Sequence, residues 1–350
     1  MGRQDSTRGK LTRSRFPRWT IVAAGLAAMV GGSAAPAQWR PQKTSEKQKA
    51  DQKAAKPAAA EDQPNVVFKT DVRLVRMLVT VKDLHGKLIA DLTRDDFRVF
   101  DNGAEQEVAV FDRQTEQPLS IAVLVDTSGS TAKDLRYEVE SVKKFLHAVV
   151  GAGNPEDTAS LYSFNWRVTL ETNYTRRIPR LEQGLRQLHA EGGTSMYDAM
   201  LLAAHDMENR RGRHVMVVVT DGGDTTSATN YHKAIEATQL ADAVVYPILV
   251  MPITNDAGRN IGGENALQSI AISTGGRVFA PTVGATLDQA FAEILRDLRT
   301  QYLVGFYPRN APLTKNRFHS LKIELKRPDL RAQTRTGYYG DAEEGSPSRQ

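Results

Sequence analysis

The sequence predicts an α/β protein: a doubly wound, mostly parallel sheet with helices on both faces, inserted in a small β-sandwich formed by the N- and C-terminal segments. Three observations predict it. Continuous apolar runs, SIAVLVD at 120–126 and HVMVVVT at 214–220, read as parallel strands buried on both faces. Helical patterns alternate with such runs from Leu119 to Thr300, the order expected of βα units packed on both sides of one sheet. Alternating β texture flanks this region, in pieces of about 45 residues or fewer, too short to bury a core alone.

The chain begins with a stretch that stands apart. Arg3, Arg8, Lys10, Arg13, Arg15 and Arg18 face a single acid, Asp5, and residues 19–37 carry no charge. The formal net charge of +5 resides entirely in this leader, because bases and acids balance over 38–350. Composition therefore gives no ground for a nucleic-acid partner. A basic stretch, an apolar run and Ala35-Pro36-Ala37 match a secretory signal peptide over residues 1–37, with a mature N-terminus at Gln38. Cleavage would leave no membrane span. The alternative, a retained anchor, would rest on a run of about 17 weakly apolar residues, at the lower limit for spanning. The chain contains no Cys, which excludes disulfides and thiolate metal sites. A Lys-, Gln-, Ala- and Pro-rich tether fills 38–65, with nothing to build a core after Trp39.

Order begins with the first half of the sandwich, 66–118. A strand is expected over 72–82, a short one at 87–90, another at 96–100, then the hairpin turn Asp101-Asn102-Gly103 and a strand over 107–111. The α/β region, 119–300, follows. Helices are expected over 134–149, 178–188, 196–209, 230–240, 264–273 and 286–299. Strands are expected at 119–126, 158–164, 167–171, 214–220, 244–250 and 277–280. The second half of the sandwich, 301–340, has strand texture at 302–307, at 321–325 and near 332–336. The tail 341–350 reads as disordered.

Three loops at strand ends carry the candidate chemistry. Asp126-Thr127-Ser128-Gly129-Ser130 follows the first buried strand directly. Gly192-Gly193-Thr194-Ser195 opens a helix, and Thr220-Asp221-Gly222-Gly223 ends the strand HVMVVVT. Open α/β sheets bind ligands beyond the carboxyl ends of their strands. Carboxylates and hydroxyls gathered there are hard oxygen donors, suited to Mg²⁺ or Mn²⁺ rather than zinc. Ser128 and Ser130 could alternatively be helix caps, and Asp221 and Asp224 ordinary turn residues.

The order DxSxS, Gly-Gly-Thr loop, then strand–Thr–Asp–Gly resembles the von Willebrand factor A family, across about residues 119–300. From Val66 to Gly340 the chain also resembles a secreted bacterial subfamily common in acidobacteria. There, segments like LTRDDFRVFDNGAEQEVAVF and LRTQYLVGFYP flank the A domain. The resemblance implies a metal-ion-dependent adhesion site (MIDAS). Ser128 and Ser130 would be direct ligands and Thr194 a ligand in one state. Asp126 would bind mainly through water, and Asp221 through water or directly. It implies a secreted, periplasmic or envelope-associated module that binds an exposed Asp or Glu of a protein partner through Mg²⁺ or Mn²⁺. The rival readings are a scaffold subunit whose metal only holds the loops, and a metal-dependent hydrolase. Nothing in the chain proposes catalysis: Gly151–Asn154 follows a helix rather than a strand, and neither GxSxG nor HExxH occurs.

Overall fold

The computed structural model describes residues 74–113, 116–250, 261–281, 285–310 and 317–340. The expected export segment, tether and tail, and the first residues of the strand expected from 72, lie outside them.

The chain opens with β1 (Val75–Asp83), β2 (Phe97–Asp101), β3 (Ala104–Gln106) and β4 (Val108–Arg113). It continues through β5 (Leu119–Asp126), α1 (Leu135–Ala152), β6 (Thr158–Phe164), β7 (Val168–Thr175), α2 (Ile178–Leu185), α3 (Met196–Met207) and β8 (Arg213–Thr220). Then come α4 (Tyr231–Leu240), β9 (Ala243–Leu249), α5 (Ile261–Thr274), α6 (Ala285–Thr300), β10 (Tyr302–Phe306), β11 (Phe318–Leu325), β12 (Leu330–Gln333) and β13 (Gly337–Tyr339).

The central sheet has the order β7-β6-β5-β8-β9, parallel except for the antiparallel hairpin of β6 and β7. β5 shows why both faces are apolar. Ile121, Val123 and Val125 point to a cluster with Phe145 and Leu146 of α1, Leu181 of α2 and Phe291 and Ile294 of α6. Ala122 and Leu124 point the other way, to Met196, Met200 and Ala203 of α3, Ala234 of α4 and Leu267 and Ile270 of α5. Every residue of β5, β8 and β9 is buried, as period-2 alternation between two helix layers requires.

The flanking segments form two four-stranded sheets, β12-β1-β10-β4 and β13-β11-β2-β3. β10 lies antiparallel between β1 and β4, and β11 between β13 and β2, so each sheet joins strands from both ends of the chain. Val75, Met77, Val79 and Val81 of β1 share a core with Phe97 and Val99 of β2, Tyr302, Val304 and Phe306 of β10, and Leu321 and Tyr338. The other face of β1 meets the α/β region. Leu78 packs on its core, Thr80 accepts a hydrogen bond from Gln301 (3.1 Å), and Lys82 pairs with Asp297 (3.2 Å).

Several expected elements take a different form. The strand expected over 107–111 is present as β4, but a short strand not expected, β3, precedes it: β3 pairs with β2 in one sheet and β4 with β10 in the other, so the chain crosses between sheets at Glu107. The short strands expected at 87–90 and 277–280 are reduced to single bridges, Lys82 with Leu88 and Ile248 with Phe279. The Asn102-Gly103 turn has φ of 47° and 83°, the left-handed pair that a two-residue hairpin needs and that Asn-Gly supplies.

Candidate metal centre

β5 and β8 run side by side in parallel, with Val125 opposite Val219, so the residues that follow emerge together at one sheet end. Asp126 is fully buried there. Its Oδ2 accepts the Thr220 hydroxyl (2.7 Å) and its Oδ1 accepts the Ser128 backbone N–H (2.8 Å). The second bond closes an Asx-type turn that aims the loop outward. The Ser128 and Ser130 hydroxyls lie 3.0 Å apart, and Ser130 donates to Asp221 Oδ1 (3.1 Å). Asp126, Ser128, Ser130 and Asp221 are thus joined in one continuous chain of hydrogen bonds.

Two backbone bonds clasp the DxSxS loop to the Gly-Gly-Thr loop: Gly129 N–H to Gly192 carbonyl (2.9 Å) and Glu191 N–H to Thr127 carbonyl (2.8 Å). Gly192 has φ +69°, and a Cβ there would run into the Trp166 indole, so glycine answers both backbone shape and space. Thr194 is held through its backbone, its N–H donating to the Thr225 hydroxyl (2.9 Å) and its carbonyl accepting from the Thr225 and Thr226 amides. Its hydroxyl makes no hydrogen bond to another described residue.

The electrostatics point one way. Burial pushes the Asp126 carboxyl up to about 6, against the lowering effect of its Thr220 and Ser128 hydrogen bonds, and the charge of Asp221 adds to the rise. Asp221 is raised as well, chiefly by burial. Two acids that both resist ionisation form a site short of positive charge. The donors are all oxygen, two are hydroxyls close enough to share one ion, and the carboxylates keep lone pairs free. The set fits a Mg²⁺- or Mn²⁺-type cation. Among the described residues no group of three His, Cys, Asp or Glu side chains could hold an ion, so any cation here depends on hydroxyl ligands.

Two features escaped the sequence reading. The Thr220 hydroxyl orients Asp126, a role that spacing alone does not reveal. Glu138, in the first turn of α1, is fully buried, and neither of its carboxyl oxygens has a hydrogen-bond partner. A signal existed: Glu138 stands three residues after Leu135 and four before Val142, on the helix's apolar stripe. Asp224 is not a solvated turn residue. It caps α3 by accepting the Tyr197 N–H (2.9 Å) and bonds to Ser227. Asp134 sits at the N-terminal boundary of α1.

Comparison with known proteins follows the same loops. Residues 121–223 match the family model described as von Willebrand factor type A domain, which spans both the DxSxS and Thr-Asp-Gly loops. This match supports a von Willebrand factor type A domain over that segment. The chain is 23% identical over 252 residues to inter-alpha-trypsin inhibitor heavy chain H4 of Homo sapiens. The match covers 64% of this chain but only 26% of the human protein. The Sus scrofa protein of the same name is 24% identical over 127 residues, 33% of this chain and 14% of that protein. Among solved structures, the vWF domain of the type V pili tip protein Mfa5 from Porphyromonas gingivalis aligns at 14% identity and TM-score 0.43. It covers 51% of this chain and 94% of that one. An aerotolerance-related membrane protein from Bacteroides fragilis aligns at 19% identity and TM-score 0.41, over 51% and 98%. Among the described residues no helix is long and apolar enough to cross a membrane.

Proposed function

We propose that this protein is a secreted or envelope-associated binding module that holds Mg²⁺ or Mn²⁺ at Asp126, Ser128, Ser130, Thr194 and Asp221, and grips an exposed Asp or Glu of a protein partner through that ion. The observation that carries the reading is the hydrogen-bonded chain Asp126–Ser128–Ser130–Asp221 at the ends of two adjacent parallel strands. The hydroxyls of Ser128, Ser130 and Thr194 are neutral donors. A cation bound to them keeps positive character in its first shell, and a carboxylate from outside completes its six oxygens. The two acids supply charge from beside the hydroxyls; Asp126, buried and bonded to Thr220, is suited to act through water. The family-model match over 121–223 agrees with an interaction role.

The test is cation binding and partner capture with the full exported chain. Wild type should bind Mn²⁺, and capture from an envelope fraction in Mg²⁺ should disappear in EDTA. Asp126→Ala should abolish both. Ser130 is exposed, so Ser130→Ala leaves the fold intact and should weaken both at least tenfold. Capture that persists in EDTA would overturn the metal bridge and leave a scaffold role.

A further inference from the structure

Among the described residues, Glu138 is a fully buried acid in the first turn of α1 that the proposed ligand set leaves unused. It lies eight residues beyond Ser130, on the face of α1 that packs against the sheet, among Leu135, Val142 and Phe145. A Leu or Ala would continue that face at no cost. A buried carboxyl without a hydrogen bond is unfavourable in either protonation state, and such groups in native folds call for an explanation. The charged groups that act on it are Asp126 and Asp221 at the strand ends and Asp134 at the start of α1. All are acids.

We propose that Glu138 is a buried carboxyl that tunes the cation centre without ligating the ion, neutral while the site lacks a cation and ionised when a divalent cation enters. The inference rests on the cation reading above. The step balances simply: the O–H bond of the Glu138 carboxyl breaks, its proton leaves to the buffer, and the carboxylate charge is offset by the arriving ion. No co-reactant is needed. Buried charges persist where they are paired or face a metal, and a cation set among Asp126, Asp221 and the hydroxyls supplies that counter-charge. The position also accounts for an acid on an apolar stripe. Out of reach of solvent in the first turn of α1, it tunes the ion without competing for the outer position that a partner would take. In the absence of a cation, burial first and then the three neighbouring acids push Glu138 up to about 8. At pH 7 it is therefore mostly protonated.

The experiment is calorimetric titration of the full chain with MgCl₂ or MnCl₂ at pH 7, in buffers of different ionisation enthalpy, which counts protons released per ion. Wild type should release about one proton, and Glu138→Gln markedly less, with weakened binding. Infrared difference spectra of wild type alone should show a protonated-carboxyl carbonyl band lost on adding Mg²⁺, a readout that needs no variant. Equal release by wild type and Glu138→Gln, or cation binding by wild type without proton release, would overturn the role of Glu138 and leave the cation site standing. No cation binding by wild type would overturn the site itself, and the inference with it.

Discussion

Removing one oxygen, in Tyr302→Phe, tests whether the two ends of the chain stabilise each other. Tyr302 begins β10 and is almost fully buried. Its ring packs against Phe97 and Phe111 with centroids 5.3 and 5.7 Å away. Its hydroxyl accepts from the Leu92 N–H and donates to the Ile89 carbonyl, both at 3.0 Å. Both partners belong to the loop between β1 and β2, more than 200 residues earlier. Phenylalanine keeps the ring and strands both backbone groups. The Leu92 amide is buried, and an unpaired buried donor costs about 1–3 kcal/mol. The Ile89 carbonyl is half-exposed and can turn to water, so its loss is smaller. The expected total is about 2–3 kcal/mol, read as a drop in urea midpoint at constant slope. Hydrogen exchange should localise the loss to Val75–Asp83 and Phe97–Asp101, while β5 and β8 stay protected. A loss below about 0.5 kcal/mol would refute the accounting, being no more than an ordinary surface substitution. Unchanged exchange over β1 and β2 would refute the interdependence of the two segments.

Two further outcomes follow from the proposed cation site. In EDTA, Glu138 is raised from 4.5 to about 8, so its stabilising contribution is full below pH 4.5 and is lost as pH rises through 8. Between pH 5 and 8 the stability advantage of Glu138→Gln over wild type should grow by on the order of 3 kcal/mol, with excess Mg²⁺ closing the gap; parallel curves in denaturant would contradict the assignment. Gly192→Ala forces a left-handed residue against Trp166 and should cost about 1–3 kcal/mol and weaken Mn²⁺ binding together, whereas a stability loss with unchanged Mn²⁺ affinity would mean that the loop clasp does not shape the site.

The parts legible in the sequence were those encoded by a repeating pattern or a local motif. β5 and β8 stand out because strands covered on both faces have no polar side to dilute the apolar run. The DxSxS and Thr-Asp-Gly loops stand out because each follows such a strand directly. Strand partnership in the flanking sheets is a different matter. The alternation of Lys322, Glu324 and Lys326 with Leu321, Ile323 and Leu325 identifies a strand, but nothing local says that β11 lies beside β2. The crossing at Glu107 was missed because the residues on either side are equally β-prone; only the two destinations distinguish them. Glu138 was missed for the opposite reason. Its neighbours make an ordinary amphipathic helix, and one acid on the apolar stripe reads as noise until both carboxyl oxygens prove to be buried and unbonded.

The junction between the two parts explains why such a site would be built on this sheet. α6 ends at Thr300 and the chain enters β10 at Tyr302, with only the fully buried Gln301 between them. The Gln301 side chain donates to the Thr80 hydroxyl of β1 (3.1 Å) and to the Tyr246 hydroxyl of β9 (3.3 Å), and accepts from the Arg213 guanidinium. Arg213 also donates to the Leu298 carbonyl at the end of α6 (2.8 Å). Burial pulls this guanidinium down to about 10, so it remains charged at neutral pH while tied to carbonyl oxygens. The Arg213 and Gln301 side chains together fix the last turn of α6, the linker and a strand of the sandwich. Arg213 is the first residue of β8, and Thr220, which orients Asp126, is the last. Between them run six buried residues hydrogen-bonded to β5 on one side and β9 on the other. A central strand so enclosed cannot slide or twist alone, because any shift would break two ladders and two packed helix layers at once. The sandwich grips one end of β8, and the other end leads directly into Asp221. Displacement of the sandwich would accordingly be resisted by the strand that sets the cation loops.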